Sequence, residues 1–118
     1  MKIKSWNDDT IFFSDGSTLF YEHYPECCER NWADFSILDT FYNDEEFDSY
    51  YIKPIDDAGF LLCMVIDKES LFDLDFHKKI FIPCYSDQNG YYSNMLTIVI
   101  TTKEGSEFRR DLSCDMQC

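Results

Sequence analysis

The sequence predicts an α+β fold: an antiparallel β-sheet built from hairpins, with one or two short helices, in a single domain spanning 1–118. Two observations point to the sheet. β-prone runs flank Asp15-Gly16 and again flank Asn89-Gly90, and such dipeptides are strong hairpin turn signals. A third points to a helix, because Trp32, Phe35 and Leu38 recur at helical spacing in 27–41, with Asp34 and Asp39 off that stripe. No repeat, linker or low-complexity tract interrupts the 118 residues, as expected for one domain with one core.

Taken in order, "TIFFSDGSTLFYEHY" is the first hairpin, and on its second arm Leu19, Tyr21 and His23 share a face by the period of two. The helix of 27–41 follows. "YNDEEFDSYYIKPIDDAG" is a polar, acidic loop with a short edge strand at 50–53, ahead of Pro54. "GFLLCMVID" at 59–67 is a buried strand, and "KESLFDLDFHKK" is open between a helical turn and a loop. In the second hairpin, Ile80, Ile82 and Cys84 alternate on one arm and Leu96, Ile98 and Ile100 on the other. Pro83 lacks an N–H, so its arm lies at an edge or carries a bulge there. Residues 106–118 are polar and are expected to form a loose tail.

Composition narrows the function classes. A hydrophobic fraction of 45% with 18% aromatics excludes a disordered chain despite a net charge of −13. The longest apolar runs, such as "FLLCMVI", are too short to span a bilayer as a helix. "MKIKSWNDD" carries two lysines with no apolar run behind them, so no secretory signal is expected there. A cytoplasmic setting follows, in which the six cysteines are mostly thiols. Charge is concentrated: 34–75 holds twelve acids against Lys53 and Lys68, a net of −10. That field repels phosphates and anionic membranes, and it favours a protein partner with a basic surface.

Three constellations are candidate sites. His23, Cys27 and Cys28, with Cys84 as a further ligand, offer imidazole and thiolate donors for zinc. The Cys27-Cys28 pair has no spacer, however, and adjacent side chains point apart. The same residues could form a reactive thiol beside a histidine base, with a helix N-terminus over 27–41 to lower the thiol pKa. Glu22, Glu26 and Glu29 crowd that place and raise it again. The plainer alternative is that such cysteines are small buried hydrophobes and His23 a hydrogen-bonded corner residue. Tyr91 and Tyr92 at the Asn89-Gly90 turn are candidate protein contacts, since tyrosines anchor interfaces. Asp44, Glu45, Glu46 and Asp48 are the centre of a candidate acidic face. The chain has only four glycines and no glycine-rich phosphate loop, and its carboxylate pairs lie in solvated loops.

The stretches "SDGSTLFYEHYPECCERNWADFSIL" and "FIPCYSDQNGYYSNMLTIVI" resemble a family of small uncharacterised proteins encoded by gut anaerobes and by their phages and conjugative elements. The matching pieces are Asp15-Gly16, His23 with Cys27-Cys28-Glu29, Asp34-Phe35, and Pro83-Cys84-Tyr85 with Asn89-Gly90-Tyr91-Tyr92-Ser93. The resemblance implies a mobile-element setting and an accessory or host-interaction role, and it supplies no catalytic residues. The expectation is therefore a non-enzymatic module that binds another protein, its acidic face mimicking nucleic acid toward a basic host protein. The alternative is a Cys/His site that holds zinc or acts through a thiol.

Overall fold

In a computed structural model, residues 1–23, 30–41, 45–66, 77–88 and 93–117 are described. The first hairpin forms as predicted, from β2 (Thr10–Phe13) and β3 (Thr18–Glu22), with Ile11 opposite Leu19. Its turn is one residue longer than the two-residue type. Gly16 N–H donates to Phe13 O at 3.1 Å, and Phe13 N–H donates to Ser17 O at 3.0 Å. Gly16 takes φ +93°, a value that favours glycine. This is the three-residue loop that ends in a left-handed bulge.

The remaining strands are β1 (Ile3–Trp6), β4 (Arg30–Ala33), β5 (Ser49–Ile55), β6 (Gly59–Val65), β7 (His77–Asp87), β8 (Met95–Thr101), β9 (Glu107–Ser113) and β10 (Asp115–Gln117). They form two sheets. One has the order β1-β2-β3-β8-β9; the other runs β10-β7-β6-β5, with β4 also paired to β7. All pairings are antiparallel except that of β10 with β7. The inward residues of both sheets, among them Ile11, Leu19, Leu96 and Ile98 from the first and Leu62, Ile80 and Ile82 from the second, belong to one core. Alternation along each strand turns one face to that core, as in stacked sheets.

The helical component is smaller than the sequence suggests. A 3₁₀ turn over Phe35–Ile37 leads into a four-residue helix α1 (Leu38–Phe41). The fold is thus mostly β, and the predicted helix over 27–41 is corrected. Arg30–Ala33 is a strand opposite Cys84–Asp87, with Trp32 facing Tyr85. The helical spacing from Trp32 is a coincidence of a strand running into a turn. The true start is Asp34, whose side chain accepts from the Ser36 N–H at 3.1 Å and from the Ser36 hydroxyl.

The second hairpin is also corrected. Its expected arms, β7 and β8, lie in different sheets, and β8 pairs with β3 and β9 instead. Both arms alternate because both face the shared core, and alternation does not say which strand lies beside which. The Asn89-Gly90 turn falls outside the described residues. A buried polar network holds the crossing. Asn31 Nδ2 donates to Ser93 O at 3.0 Å and Met95 O at 2.9 Å, and the Ser86 hydroxyl donates to Asn31 Oδ1 at 2.5 Å. Gln88 Nε2 adds bonds to Ser86 Oγ at 2.7 Å and Ser93 O at 3.1 Å.

The expected loose tail is instead two strands: β9 on β8, and β10 on β7. The predicted edge strand at 50–53 is longer than expected, β5, and ends its sheet with Pro54 inside it. Pro83 sits where β7 passes from β6 to β4: it lies opposite Gly59, and its carbonyl accepts from the Asp34 N–H at 2.8 Å. The two amide groups of a strand residue point the same way, so its missing N–H costs the β6 ladder nothing. The stretch 67–76 lies outside the described residues.

Candidate functional site

β5 and β9 end their respective sheets, and β9 lies against β5. Between them a cleft of about 650 Å³ opens to solvent. Tyr50, Tyr51 and Ile52 form one wall and Phe108, Arg109 and Arg110 the other, with Lys103 at the rim. Each wall follows from its strand. On β5, Tyr50 faces inward, stacked on Phe13 with ring centroids 4.1 Å apart and edge-on to Phe47 at 6.4 Å. Phe47 is in turn bridged to the chain start: its N–H donates to Met1 O at 2.9 Å, and the Met1 ammonium donates to Phe47 O at 2.7 Å.

On β9 only Leu112 is buried, and Glu107 through Asp111 are all exposed. Phe108 and Arg110 alternate with Leu112 onto the face that borders the cleft, where they stay exposed. Phe108 is 62% exposed, the most of any large hydrophobic side chain described. Among the described residues β9 pairs with β8 alone, so its outer edge offers unpaired backbone groups.

The cations of the cleft differ in their commitments. Arg109 is bound to Glu22, Nη1 to Oε2 at 2.5 Å, and approaches Glu107 at 3.5 Å. The hydrogen bond and charge of Glu22 raise its pKa further. Neither Lys103 nor Arg110 makes a side-chain hydrogen bond or ion pair among the described residues. Burial opposes ionisation of Asp15, but two hydrogen bonds from Ser17 and the nearby Lys103 outweigh it and hold its carboxyl below the ordinary value. Burial pushes the Tyr50 hydroxyl up, so it stays neutral.

Of the residues singled out from the sequence for a metal or thiol site, the two that are described, His23 and Cys84, lie apart. His23 lines a separate open groove with Glu22, Thr97, Arg109 and Asp111. Cys84 has no exposure and lies in the core, so these two members of the expected zinc set do not meet. Cys27 and Cys28 lie outside the described residues. Among the described residues no group of three or more His, Cys, Asp or Glu side chains could hold a metal ion. The helix N-terminus expected to activate Cys27 or Cys28 begins at Asp34, after β4. The Cys84 thiol is pushed up, first by a hydrogen bond with Cys114 and then by burial, so it is no ready nucleophile.

Tyr91, Tyr92 and Asp44 also fall outside the described residues. Glu45, Glu46 and Asp48 are exposed, and Glu45 pairs with Lys78 at 3.7 Å. Asp48 precedes β5, whereas Asp56 and Asp57 follow it, roughly 20 Å away along a seven-residue strand. Asp34 caps the turn and Asp39 accepts from the Trp6 indole N–H at 3.0 Å. The cleft itself was hidden from sequence reading by the tail assignment. A signal was present, since Lys103, Arg109 and Arg110 are three of only ten basic residues in the chain. No helix among the described residues is long and apolar enough to cross a membrane. No family model matches the chain, and neither the curated proteins nor the solved structures give a match.

Proposed function

We propose that this chain is a non-enzymatic protein-binding module that takes an extended, acidic segment of its partner into the cleft between β5 and β9. The observation that carries this reading is β9 itself, exposed on both faces from Glu107 to Asp111 and, among the described residues, unpaired on its outer edge, with the cations of Arg110 and Lys103 beside it. An incoming strand would take the β9 ladder hydrogen bonds, set apolar side chains against Phe108 and Tyr51, and place carboxylates near Arg110 and Lys103. β9 is the better acceptor because β5 carries Pro54 and an exposed Lys53, two features that discourage edge pairing. The cleft lining also carries Asp15 and Glu104, and in a chain of net charge −13 it is Arg110, with Lys103 beside it, that supports an anionic partner there. The described acids of 34–75, at the 3₁₀ turn and α1 and beyond both ends of β5, give less support to a single acidic face.

Panning a library of random dodecapeptides against the protein tests this, with the Lys103→Glu/Arg110→Glu protein panned in parallel. Peptides alternating acidic and apolar residues should be enriched on the natural chain alone, and one synthesised hit should shift the NMR amide signals of β9. Equal enrichment on both proteins, or shifts confined to other strands, would overturn the reading.

A further inference from the structure

Two buried thiols face each other at the far end of the second sheet. β10 pairs with β7 in parallel, from Asp115 opposite Tyr85 to Gln117 opposite Asp87. Extended by one residue, that register sets Cys114 beside Cys84. Neighbouring strands lie about 4.8 Å apart, within the roughly 4.4–6.8 Å between Cα atoms that a disulfide spans. Neither cysteine is exposed, both belong to the same core, and their thiols lie within hydrogen-bond reach. The Cys114 backbone is held as well: its N–H donates to Asn94 O at 2.9 Å, and its carbonyl accepts from Asn94 Nδ2 at 2.9 Å. Both are free thiols here.

We propose that Cys84 and Cys114 are a disulfide-forming pair, closed by exchange with a small-molecule disulfide, and that closure locks β10 onto β7. The step balances as two successive exchanges. One cysteine, as its thiolate, attacks the small disulfide, forming a mixed disulfide and releasing one small thiolate. The other cysteine then attacks the protein sulfur of that mixed disulfide and releases the second. The protein loses two electrons and two protons, and the small disulfide becomes two thiols.

The site is gated by its burial. Both sulfurs lie within the core, with no exposure to a small disulfide in solution, so exchange requires β10 to part from β7. β10 is three residues long and ends its sheet, and short terminal strands are the least costly to open. The bond would close residues 84–114 into one covalent ring. That ring contains β8 and β9, so oxidation would also restrain the strand that borders the cleft.

The test uses the natural chain. It is incubated folded with oxidised glutathione, the remaining thiols are alkylated under denaturing conditions, and the digest is mapped by mass spectrometry. The expected product is a peptide pair joined through Cys84 and Cys114, lighter by two hydrogens, with slower amide exchange in β9 and β10 than in the reduced protein. Finding Cys84 alkylated and Cys114 joined elsewhere would overturn the proposal. So would a Cys84–Cys114 linkage that forms only in urea, or one that leaves β10 exchange unchanged.

Discussion

Replacing Asn31 with alanine isolates the polar network that crosses the core. Asn31 is 4% exposed and makes three hydrogen bonds, two as donor to the Ser93 and Met95 carbonyls and one as acceptor from the Ser86 hydroxyl. After truncation Ser93 O keeps its bond from Gln88 Nε2. The side-chain partners of Met95 O and of the Ser86 hydroxyl proton are lost. Each buried group so orphaned costs about 1–3 kcal/mol, and a water entering the vacated space would recover part of that. A net loss of about 2–4 kcal/mol follows from these terms, lowering Tm by about 4 °C per kcal/mol in a chain of this size. Urea unfolding followed by the fluorescence of Trp6 and Trp32 measures it. Ser86→Ala and the double variant complete a cycle, which should show a coupling of about 1 kcal/mol. A loss below about 0.5 kcal/mol in Asn31→Ala, the range of an ordinary surface change, would refute the claim that this network fixes the sheet crossing.

Gly59→Ala should be more severe, because a Cβ there would lie 2.3 Å from Ile82 O and 2.8 Å from Cys84 N, at a φ of +139°. Backbone strain and overpacking together predict a loss of about 3 kcal/mol or more, read by the same unfolding assay. Phe108→Ser, by contrast, should change stability by less than about 0.5 kcal/mol, because its side chain is largely in water, yet it should weaken capture of an acidic peptide. The Asp15 carboxyl titrates below its ordinary value of 3.8, so its contribution is complete above that value and is lost as pH falls through the lower folded one. Comparing acid unfolding of the natural chain with Asp15→Asn should show the two curves converging below pH 3.8, and curves that instead diverge on acidification would contradict the sign.

The legible parts of this fold are those whose signal is local. The β2–β3 hairpin announces itself by Asp15-Gly16, and β6 by an apolar run bounded by a glycine. β4 has the sequence "RNWA", too short and too polar to register as a strand, and its aromatic falls by chance at helical spacing from Phe35. β7 and β8 reveal their buried faces but not their neighbours, because two strands that flank one core from opposite sides carry the same alternation. β9 reads as a tail because only Leu112 meets the core; a strand wet on both faces has no period to detect. That exposure is also why the candidate cleft went unseen, since the residues that form it are the ones that mimic an unstructured end. Of the zinc set, closeness in sequence grouped His23 with Cys27-Cys28, but it could not show that Cys84 belongs to the interior.

The placement of β8 between β3 and β9 bears on how the chain can be made. Leu19 is hydrogen-bonded across the sheet to the strand carrying Ile100, and Phe20 lies opposite Val99. A chain emerging from the ribosome therefore presents the β1–β3 meander long before the strand that completes it exists. During that interval the inner edge of β3, with Leu19 and Tyr21 on its core face, has nothing of its own to pair with. Native contacts so distant in sequence slow folding, and a waiting edge invites pairing with other chains.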